Sequence, residues 1–226
     1  MRLKVATVVA FTGVLVAQIS AANAAVIYSN LGTPDSTTSV AIGYNSSVNT
    51  NVKYAQGFTT GTGVYLLNSV DLALGVTGFG NGSPLLQIFS DNSGKPGTDL
   101  AATFTNPTFG AQAVYNLSLA TPFSLSATTS YWIVLSDTTS ASQTKFNWYY
   151  SDAFTQPTAQ NGSGLTYLAG ARLMNGGTTW ATNDAFALTA ITLNATAVPE
   201  PSTYALAAIA SSIMVVVGRR RKSTIA

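Results

Sequence analysis

Catalysis at neutral pH commonly draws on a histidine, a thiol or a pair of carboxylates. This chain of 226 residues has no His and no Cys. A Ser-His-Asp triad, an imidazole base and a thiol nucleophile are therefore excluded. Zinc, copper and non-haem iron lose their usual ligands as well. Carboxylates remain, but Glu200 is the sole Glu, and several Asp occupy turn contexts: Asp35 after Pro34, Asp91 before Asn92, Asp137 before Thr138. Asp in turns usually caps backbone amides. An Asp-dependent glycoside hydrolase needs two such groups facing one cleft. It stays as the weakest of the functional alternatives, and the chain is expected not to be an enzyme.

Two groups could bind rather than react. Asp91, Asn92, Ser93 and Asp99 form the richest cluster of oxygen ligands. It reads as a hydrogen-bonded turn or, alternatively, a calcium site without the spacing of an EF-hand. No other cofactor is expected. Trp132, Trp148, Tyr149 and Trp180 could stack on pyranose rings. Against that, alternation puts Phe146, Trp148 and Tyr150 on one face, so at least one group is core; Trp132 and Trp148 read first as core residues, and Tyr149 is expected to be the exposed one.

Positioning these groups falls to strands and turns. The centre of the chain is rich in Thr, Ser, Asn and Gly with many aromatics, a mixture that favours strands over helices. Val70, Leu72, Leu74 and Val76 alternate with Asp71, Ala73 and Gly75, and Tyr115, Leu117 and Leu119 alternate with Asn116 and Ser118. Tyr131–Leu135 is apolar at every position, which predicts a strand covered on both faces. Phe186 and Leu188 are expected to open a last strand running through Ile191 and Leu193. Turns are expected at 78–84 and 91–97, and hairpins at 161–164 and 175–177. Eight to eleven strands are expected in an all-β domain, a β-sandwich of jelly-roll type spanning residues 25–194.

Charge is concentrated at the ends. Residues 25–198 hold Lys53, Lys95, Lys145 and Arg172 against seven Asp, leaving a net charge of −3. Nothing there could neutralise a phosphate backbone, so nucleic acid is excluded as a partner.

Arg2 and Lys4 precede an apolar run from Val5 to Ile19, then Ala22-Asn23-Ala24. Positive start, short apolar stretch and small-x-small ending make residues 1–24 a signal peptide cut after Ala24 by signal peptidase. At the other end, Val198-Pro199-Glu200-Pro201-Ser202 closes a linker at 195–202. An apolar helix at 203–217 follows, then a basic tail at 218–226 with Arg219, Arg220 and Arg221. A helix of that length spans about 22 Å, short of the ~30 Å hydrocarbon core, and its basic flank stays cytoplasmic. The prolines keep the chain before it extended and open to a protease.

Pro199-Glu200-Pro201, the apolar helix and the Arg-rich tail together resemble the PEP-CTERM sorting signal. The resemblance implies recognition by an exosortase, a membrane-embedded protease or transpeptidase that cuts near the prolines. It also implies an exported protein of a Gram-negative bacterium that makes extracellular polysaccharide, held briefly in the inner membrane and destined for the cell surface or extracellular matrix. Residues 50–155 resemble the choice-of-anchor domains of type R through Ala55-Gln56-Gly57-Phe58, Ile88–Gly97, Tyr131–Leu135 and Asn147-Trp148. That resemblance implies surface display and supplies no activity. The expected function is structural or adhesive, with a module binding extracellular polysaccharide as the alternative.

Overall fold

The computed structural model describes residues 23–45, 50–76, 84–105, 107–138, 145–151, 154–174, 179–182 and 189–199. Residues 1–22 and 200–226, where the signal peptide, Glu200, Pro201, the sorting helix and the basic tail are expected, lie outside these, as do Phe186, Leu188 and the turns expected at 78–83 and 175–177. The described residues form fourteen strands and no helix.

The first half comprises β1 (Ala25–Ser29), β2 (Pro34–Asn45), β3 (Thr50–Thr59), β4 (Val64–Val76), β5 (Pro84–Asp91), β6 (Pro96–Asp99) and β7 (Phe104–Thr105). The second half comprises β8 (Ala113–Leu125), β9 (Ser130–Asp137), β10 (Lys145–Ser151), β11 (Thr158–Ala159), β12 (Thr166–Met174), β13 (Ala181–Thr182) and β14 (Ile191–Val198). Three of these are two-residue strands, which propensity cannot register, so the total exceeds the expected eight to eleven.

All pairings are antiparallel and join one open sheet in the order β11-β1-β14-β4-β10-β2-β3-β9-β5-β6, with β8 beside β4 and β12 beside β3. β4 is long enough to pair β8 along one edge and, along the other, β14 followed by β10. β2 pairs β10 up to Gly43 and β3 from Gly43 onward. Gly43 has φ 95° at that changeover, where a side chain would be strained.

The apolar sets predicted from alternation make one core, except that Val76 at the end of β4 is half-buried and lies outside it. Val70, Leu72, Leu74 and Leu117 are fully buried, with Leu119 close behind. Strands far apart in the sheet order meet through their rings: Tyr28 of β1 lies 5.8 Å from Phe58 of β3, and Phe123 of β8 lies 6.1 Å from Tyr131 of β9. Each fully buried aliphatic or aromatic side chain stabilises by about 1.5–3 kcal/mol. β9 is buried on both faces, as its unbroken apolar sequence predicts.

Two expectations need amendment. The turn at Asn161–Gly164 does not close a hairpin, because β11 before it pairs β1 and β12 after it pairs β3. Residues 195–198, expected in the linker, are strand: β14 continues to Val198, paired with Val64.

Candidate functional site

The two expected processing points sit on neighbouring strands. Ala24 is exposed and directly precedes β1, and Pro199 is exposed and directly follows β14. The strands are antiparallel, with Ala25 opposite Ala195 and Ser29 opposite Thr192. The chain thus enters β1 and leaves β14 at the same end of the sheet, on strands about 4.8 Å apart. β1 is well fastened there. Asn161 Nδ2 donates to the Val26 carbonyl at 2.8 Å, Gln160 N donates to the Ile27 carbonyl at 3.0 Å, and the Ser163 hydroxyl donates to that same oxygen. Ala22, Glu200, Pro201, Arg219, Arg220 and Arg221 lie outside the described residues.

The aromatic set does not gather into an exposed platform. Trp148 is fully buried in the main core, its Nε1 donating to the Ala190 carbonyl at 3.0 Å. Trp132 is fully buried on the opposite face of its sheet from Tyr131, among Ala55, Val134 and Ala171, with half-buried Phe89 and Trp180 packed against them. Tyr149, expected to be the exposed member, is 9% exposed. The correction has a plain cause: Gly75 on the adjoining strand leaves its ring a seat, with Cε2 3.1 Å from where a Cβ would stand. Fully enclosed indoles present no face to a sugar.

The Asp91 loop is a turn closed by its own carboxylate. Asp91 Oδ1 and Oδ2 accept from Gly94 N at 3.2 and 3.1 Å, and Asn92 N donates to the Lys95 carbonyl at 2.8 Å. Ser93 and Gly94 take positive φ, 55° and 78°. Asp91 Oδ1 also accepts from Trp132 Nε1 at 2.8 Å, so the turn anchors the buried indole. Asp99 faces other partners, accepting from Gln87 Nε2 at 2.7 Å and Ala101 N at 2.9 Å. Among the described residues no three acidic side chains gather to hold a metal ion.

One polar constellation was missed. Asp71, on the outward side of β4, accepts from Asn116 Nδ2 of β8 at 2.5 Å and from Asn194 Nδ2 of β14 at 2.8 Å, one on each carboxylate oxygen. Both amides also donate to Ser69 Oγ, at 2.9 and 3.2 Å, and Ser118 Oγ donates to Asn116 Oδ1 at 2.8 Å. Asn116 and Ser118 are exposed, Asp71 and Asn194 half-buried. Both amide NH2 groups are spent within the cluster, while a carboxylate oxygen can accept two bonds. The surface is therefore rich in acceptors and suits a ligand that brings hydroxyl donors. Alternation already put Asp71, Asn116 and Ser118 at outward positions; what the sequence withheld was that β8, β4 and β14 lie side by side.

Burial pushes the Tyr28 phenol well above its ordinary pKa, with the nearby Tyr167 adding to the rise. Burial also raises Tyr150, with Tyr54 contributing. Neither phenol is poised to act as an acid or base near neutrality.

Residues 197–222 match the PEP-CTERM protein-sorting motif. The match implies an exported chain that an exosortase processes, and it begins within the last two residues of β14. No curated protein matches the chain.

Proposed function

We propose that the chain is a non-enzymatic structural or adhesive protein of the cell surface or extracellular matrix, cut from its signal peptide after Ala24 and from its sorting helix near Pro199-Glu200-Pro201. The observation that carries this is the junction at Val198: the sheet ends and the sorting signal begins with no spacer between them. Cutting beyond Val198 frees the domain without removing a strand. The ring contacts between distant strands support a sandwich-like packing of the sheet, and the resemblance of residues 50–155 to choice-of-anchor domains fits a display module.

Mass spectrometry of the native protein tests the reading. It should find Ala25 at the amino terminus and a carboxyl terminus at or just beyond Pro199. Termini at Met1 and Ala226 would overturn it.

The acceptor-rich cluster at Asp71 favours a second reading, a module binding extracellular polysaccharide. Retardation in gels cast with the host's own polysaccharide, lost in Asp71→Ala, would support it. Equal mobility with and without polysaccharide would end it.

A further inference from the structure

Val64, Val114, Phe154 and Val198 are the exposed large hydrophobics among the described residues. Two of them are cross-strand partners: Val198 of β14 stands opposite Val64 of β4, at 37% and 36% exposure. The pair occupies the end of the sheet where the chain leaves toward Pro199, beside the strand it enters from Ala24. The segments flanking the pair are free of charge, while the charged turn at Asp91–Lys95 sits at the same end farther along the sheet, beside Thr128–Ser130. No Asp, Glu, Lys or Arg occurs in residues 23–29, 61–70, 118–130, 158–168 or 191–199.

Both tethers leading away are short. Residues 199–202 separate Val198 from the apolar stretch that opens at Thr203, and residues 20–24 separate Ala25 from the apolar run that closes at Ile19. At no more than ~3.6 Å per residue, they span at most about 14 and 18 Å. On the sorting reading the carboxyl-terminal apolar stretch enters the hydrocarbon core before processing, and the headgroups above that core occupy about 5–8 Å. Little chain is left to hold the domain away from the surface.

We infer that, in the anchored precursor, this end of the domain rests on the outer surface of the bilayer, with the Val64–Val198 pair seated among the lipid headgroups and the sheet standing upright on it. The partner is a lipid surface, and the inference rests on the sorting reading above. The uncharged segments around the pair lose little on leaving water, whereas charged ones would resist it, so the contact centres on the Val64–Val198 pair and not on the Asp91 turn. The pose brings Pro199, where the described chain leaves the sheet, close to the membrane in which the processing enzyme is embedded. It also sends the Asp71 cluster outward along the side of the sheet.

Having no Cys, the chain accepts single labels cleanly. Thr62→Cys and Ala111→Cys, both at exposed positions, mark opposite ends of β4: Thr62 lies two residues before Val64, and Gly110 accepts from Val76 N at 2.9 Å. The thirteen residues of β4 put those ends about 40 Å apart. Each full-length variant is synthesised into vesicles of phosphatidylethanolamine and phosphatidylglycerol without any exosortase, then labelled with a polarity-sensitive fluorophore. Nitroxide-headgroup lipid should quench the Thr62 label at least threefold more than the Ala111 label. Adding Val64→Asp should remove that difference while the protein still sediments with the vesicles. Val64→Thr, which keeps the shape and the strand preference, should reduce it in part. Equal quenching of the two labels in sedimenting protein would overturn the docking and leave the sorting reading intact, as would a difference that appears only once exosortase is added. Protein that fails to sediment, or is washed off by alkaline carbonate, would overturn both.

Discussion

The two outward-facing surfaces of the sheet treat their side chains in opposite ways. Across β8, β4 and β14, Asp71, Asn116, Asn194, Ser69 and Ser118 bond one another in a layer one side chain deep and stay wet. Across β9, β3 and β12, Trp132 lies against Gly57, its ring atoms 3.0 Å from where a Cβ would stand, and is wholly covered. Tyr149 over Gly75 repeats the second arrangement at the far end of β4. Whether an outward aromatic is displayed or buried is thus decided by the residues of the adjoining strand, directly opposite at Gly57 and two positions along at Gly75. A strand glycine opens a seat about one ring thick, and the indole fills it.

The contrast breaks first at Trp132. Trp132→Ala should cost about 3–5 kcal/mol in urea unfolding, the range for emptying a large aromatic site. Gly57→Leu should destabilise comparably, because the indole would have to leave its seat. On the open face Asn116→Ala should cost less than about 1 kcal/mol, as an exposed position does. Equal losses on the two faces would mean the polar ladder is structural and not a surface for display.

How much of this the sequence shows follows the same line. The core of β4 and β8, the double-sided burial of β9 and the carboxyl-terminal sorting motif were all legible, because period, composition and a contiguous motif are properties of one segment at a time. The fate of Tyr149 and the Asp71 cluster were not. Each depends on which strands are neighbours and in what register, with Trp148 opposite Leu74 and Asn116 opposite Asp71. Gly57 and Gly75 were in plain view, but a glycine becomes a seat only once its partner strand is known. The junction at Val198 was misjudged for a related reason: Ala195-Thr196-Ala197 reads as a spacer until β4 is found beside it.

Asp91→Ala sharpens the comparison at intermediate size. It removes the acceptor for Trp132 Nε1 and the cap on Gly94 together. Losing an acceptor beneath a buried donor costs about 1–3 kcal/mol. The loss should be accompanied by a change in tryptophan emission, as the indole N–H seeks a new partner. An unchanged spectrum with full stability would show that the turn merely touches the closed face and does not hold it.

The smallest effect belongs to the shared interior, against which both outer faces can be judged. The Tyr28 phenol oxygen has no hydrogen-bond partner among the described residues, so Tyr28→Phe should change stability at pH 7 by less than about 1 kcal/mol. The variant becomes visible only in alkali. Tyr28 and Tyr150 both have folded pKa values above the ordinary 10.0. Below pH 10 each phenol is protonated whether the chain is folded or not, and contributes no slope. Above it the unfolded chain loses these protons first, binds fewer than the native state, and stability falls as pH rises. With no His anywhere in the chain, no histidine step interrupts the profile between pH 5 and 8. Urea midpoints measured from pH 8 to 11 should therefore hold level to about 10 and then drop, less steeply in Tyr28→Phe than in the parent. Parallel declines would show that the buried phenol carries no part of the alkaline loss and would shift it onto the more exposed rings.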